Sequence, residues 1–183
     1  MIERQDTGFL CEETLPMVWS VIDPADVALR VDAVADANWE HLQVIAGLDD
    51  HGPESLDDHP ALAQELQRLD FKLNVILDMI SRLQGAAGDL PARVPVRLSA
   101  SHLGFTTTAE IAVGQMLEIE LYLYARYVFP IVLFGTVEGV SADHDVRSVT
   151  VRLSALADDA QALYEKSVFR CHRRQVARRR RPV

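Results

Sequence analysis

Seven apolar residues between positions 62 and 83 do most to limit what this chain can become. Leu62, Leu66, Leu69, Leu73, Ile76, Ile80 and Leu83 alternate spacings of four and three without a miss. That rhythm averages about 3.5 residues and keeps one apolar stripe facing a partner along a supercoiled helix. Reading Leu66, Leu73 and Ile80 as a positions places Leu62, Leu69, Ile76 and Leu83 at d. Phe71, Val75, Leu77 and Met79 widen the apolar face beyond the stripe. A two-stranded zipper keeps a narrow seam, whereas a wide face suits a bundle of three or four helices, or a seam on one side and a barrel on the other. The spacing therefore predicts a helix over 60–84 that assembles with other helices. The partners are an earlier helix of the same chain, symmetry-related copies, or both. An amphipathic helix covering its own barrel is the blander alternative, and it explains the unbroken spacing less well. Mixed Leu and Ile at a and d leave the number of strands open.

The flanking segments change period. Residues 8–22 read as one or two short strands broken at Pro16, with Met17, Val18, Trp19, Val21 and Ile22 as β-formers. Asp23 and Pro24 form a helix start, an N-cap acid followed by proline at the first helical position. Val27, Val31, Val34, Leu42 and Ile45 then keep helical spacing as far as Gly47, a C-cap residue, so a helix is expected over 24–47. A polar loop spans 49–59. Beyond Pro91 the period becomes two. Val94, Val96 and Leu98 alternate, a turn follows, and Phe105 to Thr108 resume. Leu117, Ile119, Leu121 and Leu123 face one way while Glu118, Glu120, Tyr122 and Tyr124 face the other, a strand buried on one side. Ile131, Leu133 and Val137 continue the pattern; a turn is expected over 141–145 before Val149, Val151 and Leu153. A last helix starts near Asp158 and Asp159, whose charges suit its dipole. Leu163, Val168 and Phe169 are expected to dock it, and it runs out into Arg178, Arg179, Arg180 and Arg181.

The expected fold is thus α+β and one domain over 1–183. The main strands lie over 92–153, a helical region over 23–85 is inserted after the early strands, and a C-terminal helix with a basic tail occupies 158–181. The early strands are expected to complete the later barrel.

Composition narrows the function. Of 18 basic residues, eight lie from Lys166 onward with no acid among them; the remainder holds 10 bases against 27 acids, a net −17. An acidic body argues against a nucleic-acid-binding core. The arginine tail has three readings: a helix end complementing its dipole and pairing with Asp158 or Glu165, a nucleic-acid contact, or an arm for an acidic partner. No apolar stretch approaches the ~20 residues of a membrane span, and residues 1–6 show no signal-peptide pattern, so the cytoplasm is expected. Cys11 and Cys171 fit a reduced compartment without a disulfide framework, one long-range bridge being the minor alternative. Two acid–acid–His triplets, ending at His51 and His59, lie in a polar loop without helical spacing, so no metal site is expected. His41, His102, His144 and His172 read as surface or packing residues. No nucleophile elbow, phosphate loop, cysteine motif or zinc-protease motif occurs, so no catalysis is expected.

Residues 96–105, read as Val96-Arg97-Leu98-Ser99-Ala100-Ser101-His102-Leu103-Gly104-Phe105, resemble the second-strand signature of PilZ domains. The family pattern is Asp or Asn, any residue, Ser, two of any residue, then Gly. Ser99, Ser101 and Gly104 stand in those three places. The later strands and the helix carrying Phe169 to Gln175 are also PilZ-like, and the two inserted helices resemble the atypical tetrameric branch. The resemblance implies a six-stranded antiparallel barrel in bacterial cyclic di-GMP signalling, with cyclic di-GMP as the ligand and no resident cofactor. It also implies a tetramer and a protein partner, in motility, type IV pilus or virulence control.

The pattern is not complete. Ser99 replaces the Asp or Asn, and the Arg-x-x-x-Arg segment expected upstream of the barrel is missing, since residues 1–10 hold only Arg4. Arg93 and Arg97 have the spacing but stand on the motif's own strand, with Pro95 between them. For the serine–glycine trio the bland reading is a strand-turn in which Gly104 supplies a positive φ. Arg93, Arg97, Ser99, Ser101 and Gly104 are accordingly expected to mark a degenerate ligand face, with nucleotide binding weak or lost. The alternative function is an oligomeric nucleic-acid-associated protein using the arginine tail.

Overall fold

The N-terminal apolar run becomes one strand, β1 (Cys11–Val21), rather than two. A computed structural model describes residues 10–49, 62, 64–66, 68–69, 71–73, 75–76, 79–80, 90–124 and 129–179. Pro16 does not break β1, because the strand changes partner there. Cys11 to Pro16 pair with β2 (Arg93–Leu98), and Met17 to Val21 pair with β4 (Met116–Leu121). A proline lacks the ladder donor, and the missing N–H falls at this hand-over, while the Pro16 carbonyl accepts from Tyr122 N at 3.1 Å.

Three more strands, β3 (His102–Thr107), β5 (Ile131–Asp143) and β6 (Val146–Leu153), complete a closed barrel in the order β1-β2-β3-β6-β5-β4. All neighbours are antiparallel, and the sheet closes on itself. β1 precedes the helices in sequence yet joins β2 to β4, so the expectation that early residues complete the barrel holds. The turn expected over 141–145 is tighter than expected. β5 runs to Asp143, and His144, with φ of 56°, makes the reversal.

The alternating residues fill the interior. Val96, Leu98, Leu103, Phe105, Leu117, Ile119, Leu121, Leu133, Val149 and Val151 are buried. Each contributes about 1.5–3 kcal/mol of transfer free energy. The first helix (Pro24–Asp49) and the C-terminal helix (Asp158–Arg179) cover the barrel. Asp23 caps the first, its Oδ1 accepting from Ala25 N at 2.8 Å. The helix passes through Gly47, which is therefore not its C-cap. Its contact face also differs from the apolar spacing. Val31 is exposed, whereas Asn38 is buried with Leu42 and Ile45. On the C-terminal helix Val168 is buried and Leu163 packs against the core, as expected, whereas Phe169 is exposed and Tyr164 and Cys171 dock in its place. A residue one position off the helical stripe points away from the barrel whatever its size.

Cys11 and Cys171 do not remain free as expected. They are joined as a disulfide, with Cα atoms 5.8 Å apart and 160 residues between them. The start of β1 lies under the last turns of the C-terminal helix. There His172 Nδ1 is 2.6 Å from the Leu10 carbonyl, and the Gln175 amide donates to the Glu12 carbonyl.

Every described position from 62 to 80 is helical. Leu62, Leu66, Leu69, Leu73, Ile76 and Ile80 are 45–58 % exposed in the single chain. Leu83, the acid–His loop after position 49 and Arg180 and Arg181 lie outside the described residues, as do the side chains of Arg178 and Arg179. Among the described residues no helix is long and apolar enough to cross a membrane.

Candidate ligand groove on the barrel wall

Outward-facing positions of three neighbouring strands, with Ser148 of β6, line a groove of about 500 Å³. Glu12 and Thr14 come from β1, Pro95 and Arg97 from β2, and Gly104 and Thr106 from β3. Strand pairing sets the arrangement. Arg97 has Glu12 as its Cα partner on one side and Gly104 on the other, and Gly104 in turn faces Thr150. Leu103 and Phe105 point inward, so Gly104 occupies an outward position and contributes only backbone to the groove lining. Its φ is not positive; among the described residues only Gly114 and His144 have that conformation. Gly104 is therefore an ordinary strand position lining the groove, not a turn residue.

Ser99 does serve the turn. It is buried, and its Oγ accepts from His102 N at 2.8 Å and Ser101 N at 3.3 Å. Its N–H donates to the His102 carbonyl at 2.9 Å, and its own carbonyl accepts from the Tyr164 hydroxyl at 3.2 Å. Burial raises the Tyr164 phenol well above its ordinary pKa. This is a serine turn closing the β2–β3 hairpin, with its oxygen committed to the backbone.

Ser101 is exposed beside it, Oγ at 2.9 Å from His102 Nδ1. His102 Nε2 lies 3.1 Å from Glu138, whose other oxygen takes the Arg152 guanidinium at 2.7 Å. Glu138 is the extra residue at the register shift between Val137 and Gly139, and a bulge of that kind turns a side chain toward neighbours it would otherwise miss. The cluster ties β3, β5 and β6 together.

Of the residues expected to form a ligand face, Arg97 and Gly104 meet in the groove. Ser99 and Ser101 sit at the hairpin end. Arg93 begins β2, four residues and about 13 Å along the strand from Arg97, and lines a separate recess of about 240 Å³ with Tyr124, Val168 and Arg174. Among the described residues the groove thus carries one guanidinium, which also donates to Ser148 Oγ at 3.5 Å. Sequence reasoning missed Glu12, Thr14, Thr106 and Ser148. The alternation of β1 held the signal for Glu12 and Thr14, but placing them beside Arg97 requires the strand register.

A family model for the atypical PilZ domain, a cyclic di-GMP receptor, matches residues 42–181. The chain belongs to the atypical PilZ family. Among solved structures it resembles a pathogenic protein from Xanthomonas campestris, described as a tetrameric PilZ domain self-assembled through a helical bundle. The two share 24 % identity over 93 % of this chain and 92 % of that one, with a TM-score of 0.71. The Bacillus subtilis inhibitor of motility aligns over 46 % of this chain and 42 % of its own at 23 % identity, with a TM-score of 0.37. No curated protein matches the sequence significantly. The six-stranded barrel with helices is the PilZ fold, as the serine–glycine signature implied. Within that fold Ser99 uses its oxygen inside the hairpin.

Proposed function

We propose that this chain is a non-catalytic, homo-oligomeric PilZ adaptor of cyclic di-GMP signalling, acting in the cytoplasm, in which nucleotide binding is weak or lost. The observation that carries the reading is the pairing around Arg97. Among the described residues the groove's one guanidinium faces Glu12 across the β1–β2 ladder. Cyclic di-GMP presents two phosphodiesters and two guanine edges, and guanidinium forks suit both. A single fork beside a carboxylate is poor provision for that ligand. Ser99 adds nothing to it, because its oxygen already accepts two backbone N–H bonds.

Assembly is the adaptor's other half. Six seam residues from Leu62 to Ile80 are at least 45 % exposed in one chain, and a contiguous apolar stripe of that kind marks a contact surface. The proposed occupant is the same helix from other copies. The helical-bundle tetramer described for the Xanthomonas campestris protein favours four. The barrel walls then remain outside the bundle, free to meet a partner protein in motility or virulence control.

Calorimetric titration of the mass-checked oligomer with cyclic di-GMP tests the nucleotide half. No saturable heat at micromolar nucleotide is the expected result. Micromolar or tighter binding would overturn it and make the chain a receptor whose arginines come from an unexpected place.

A further inference from the structure

The PilZ reading assigns no role to the two cysteines, and the structure brings them together from opposite ends of the chain. Cys11 and Cys171 have Cα atoms 5.8 Å apart, within the 4.4–6.8 Å range that a disulfide spans. Cys11 is 1 % exposed and Cys171 6 %. Cys171 also lines the recess between barrel and C-terminal helix, so its sulfur is approached through that opening. Arg93, Arg174 and Glu13 line the same recess, two guanidinium groups and one carboxylate, with the Glu13 carboxylate 3.8 Å from Cys171 Sγ.

We propose that Cys11 and Cys171 form a reversible oxidation site whose co-reactant is a small anionic disulfide such as oxidised glutathione, admitted through this recess. Cys171 thiolate attacks one sulfur of the co-reactant, the first thiolate leaves, and a mixed disulfide forms. Cys11 thiolate then attacks the Cys171 sulfur and expels the second thiolate. The protein pair loses two electrons, the small disulfide gains them, and the two cysteine protons end on the two released thiols. Closing the bond fastens the C-terminal helix to the first residue of β1. The next residue, Glu12, is a wall of the groove, and its carbonyl already takes the Gln175 amide. Oxidation therefore sets how firmly the Glu12 wall stands beside Arg97.

The inference is independent of whether cyclic di-GMP binds, and its test needs no nucleotide. The full-length protein is reduced, equilibrated in glutathione buffers of graded oxidation, quenched with acid and denatured, and its free thiols are counted. Expected are two thiols at the reducing end and none at the oxidising end, with intact mass two hydrogens lighter and no added glutathione. Thiols that stay free across the series, or two glutathione adducts in place of the internal bond, would overturn the proposal. Cys11→Ser keeps the attacking sulfur and should accumulate one mixed disulfide on Cys171; no adduct on the folded variant sinks the proposed entry route. Because the bond closes a loop of more than 100 residues, the oxidised form should melt about 10 °C above the reduced one. Equal melting temperatures would show that the bond does not fasten the helix. The Cys11→Ser/Cys171→Ser variant should lose the redox dependence of melting altogether, and a shift that survives in it would overturn the assignment.

Discussion

The Asn38 side chain binds Val132 as a neighbouring strand would: its Nδ2 donates to the Val132 carbonyl at 2.7 Å, and its Oδ1 accepts from Val132 N at 2.8 Å. Asn38 is 1 % exposed, so both bonds lie away from competing water. They fix the first helix on β5 in one register. Asn38→Ala leaves a buried donor and acceptor unpaired and should cost about 2–4 kcal/mol. Asn38→Asp should cost at least as much, since the carboxylate cannot donate. Urea denaturation measures both, and a loss under 1 kcal/mol for either would mean that packing alone seats the helix.

Tyr164 makes stability depend on alkaline pH. The phenol is buried and its pKa in the folded state is raised by that burial. Folding therefore favours the protonated form. Below pH ~10, the unfolded value, both states hold the proton and the contribution is complete. Above it the unfolded chain releases a proton that the folded chain keeps, and stability falls by about 1.4 kcal/mol per pH unit. Tyr164→Phe removes this slope while losing one hydrogen bond to the Ser99 carbonyl, about 1 kcal/mol at neutral pH. Denaturation at pH 9, 10 and 11 compares the two proteins, and equal slopes would remove Tyr164 as the cause.

Leu73 and Ile76 separate assembly from folding. Both are more than half exposed in one chain, so aspartate at these positions costs little to an isolated chain but buries charge at a helical interface. Leu73→Asp/Ile76→Asp should give a monomer by light scattering, with the strand signal of the barrel retained in circular dichroism. Unchanged mass in solution would show that the seam is not the interface.

Glu12 governs the charge beside Arg97. Glu12→Gln should raise affinity for cyclic di-GMP about three- to tenfold at low ionic strength, with the gain shrinking as salt screens it. The comparison is one calorimetric series at two salt concentrations. Titrations of variant and parent that coincide at low salt would mean that the carboxylate is not what weakens the groove.

Ser99 tests the hairpin. Ser99→Ala strands two backbone donors beside a buried position and should cost about 1–3 kcal/mol, whereas Ser99→Asn, which can cap the same turn, should cost less. Thermal melting orders the three proteins, and an alanine variant as stable as the parent would return Ser99 to the candidate ligand residues.

Periodic features were determined by the sequence itself. The 4-3 rhythm from Leu62, the two-residue alternation through Leu117, Ile119 and Leu121, and the capped start at Asp23 and Pro24 each repeat a local geometry, so each is legible without a partner. The serine–glycine signature likewise carried the PilZ fold. What the tertiary structure decided are single contacts between distant residues. Asn38 and Val132 lie 94 apart in sequence, Cys11 and Cys171 160 apart, and Glu12 meets Arg97 only through the strand register. Pro16 reads as a break until β1 is seen to change partner at that residue. Phe169 reads as a docking residue until the barrel shows which side of the helix it covers. Such contacts repeat nothing along the chain, and closure of the barrel is what brings them within bonding distance.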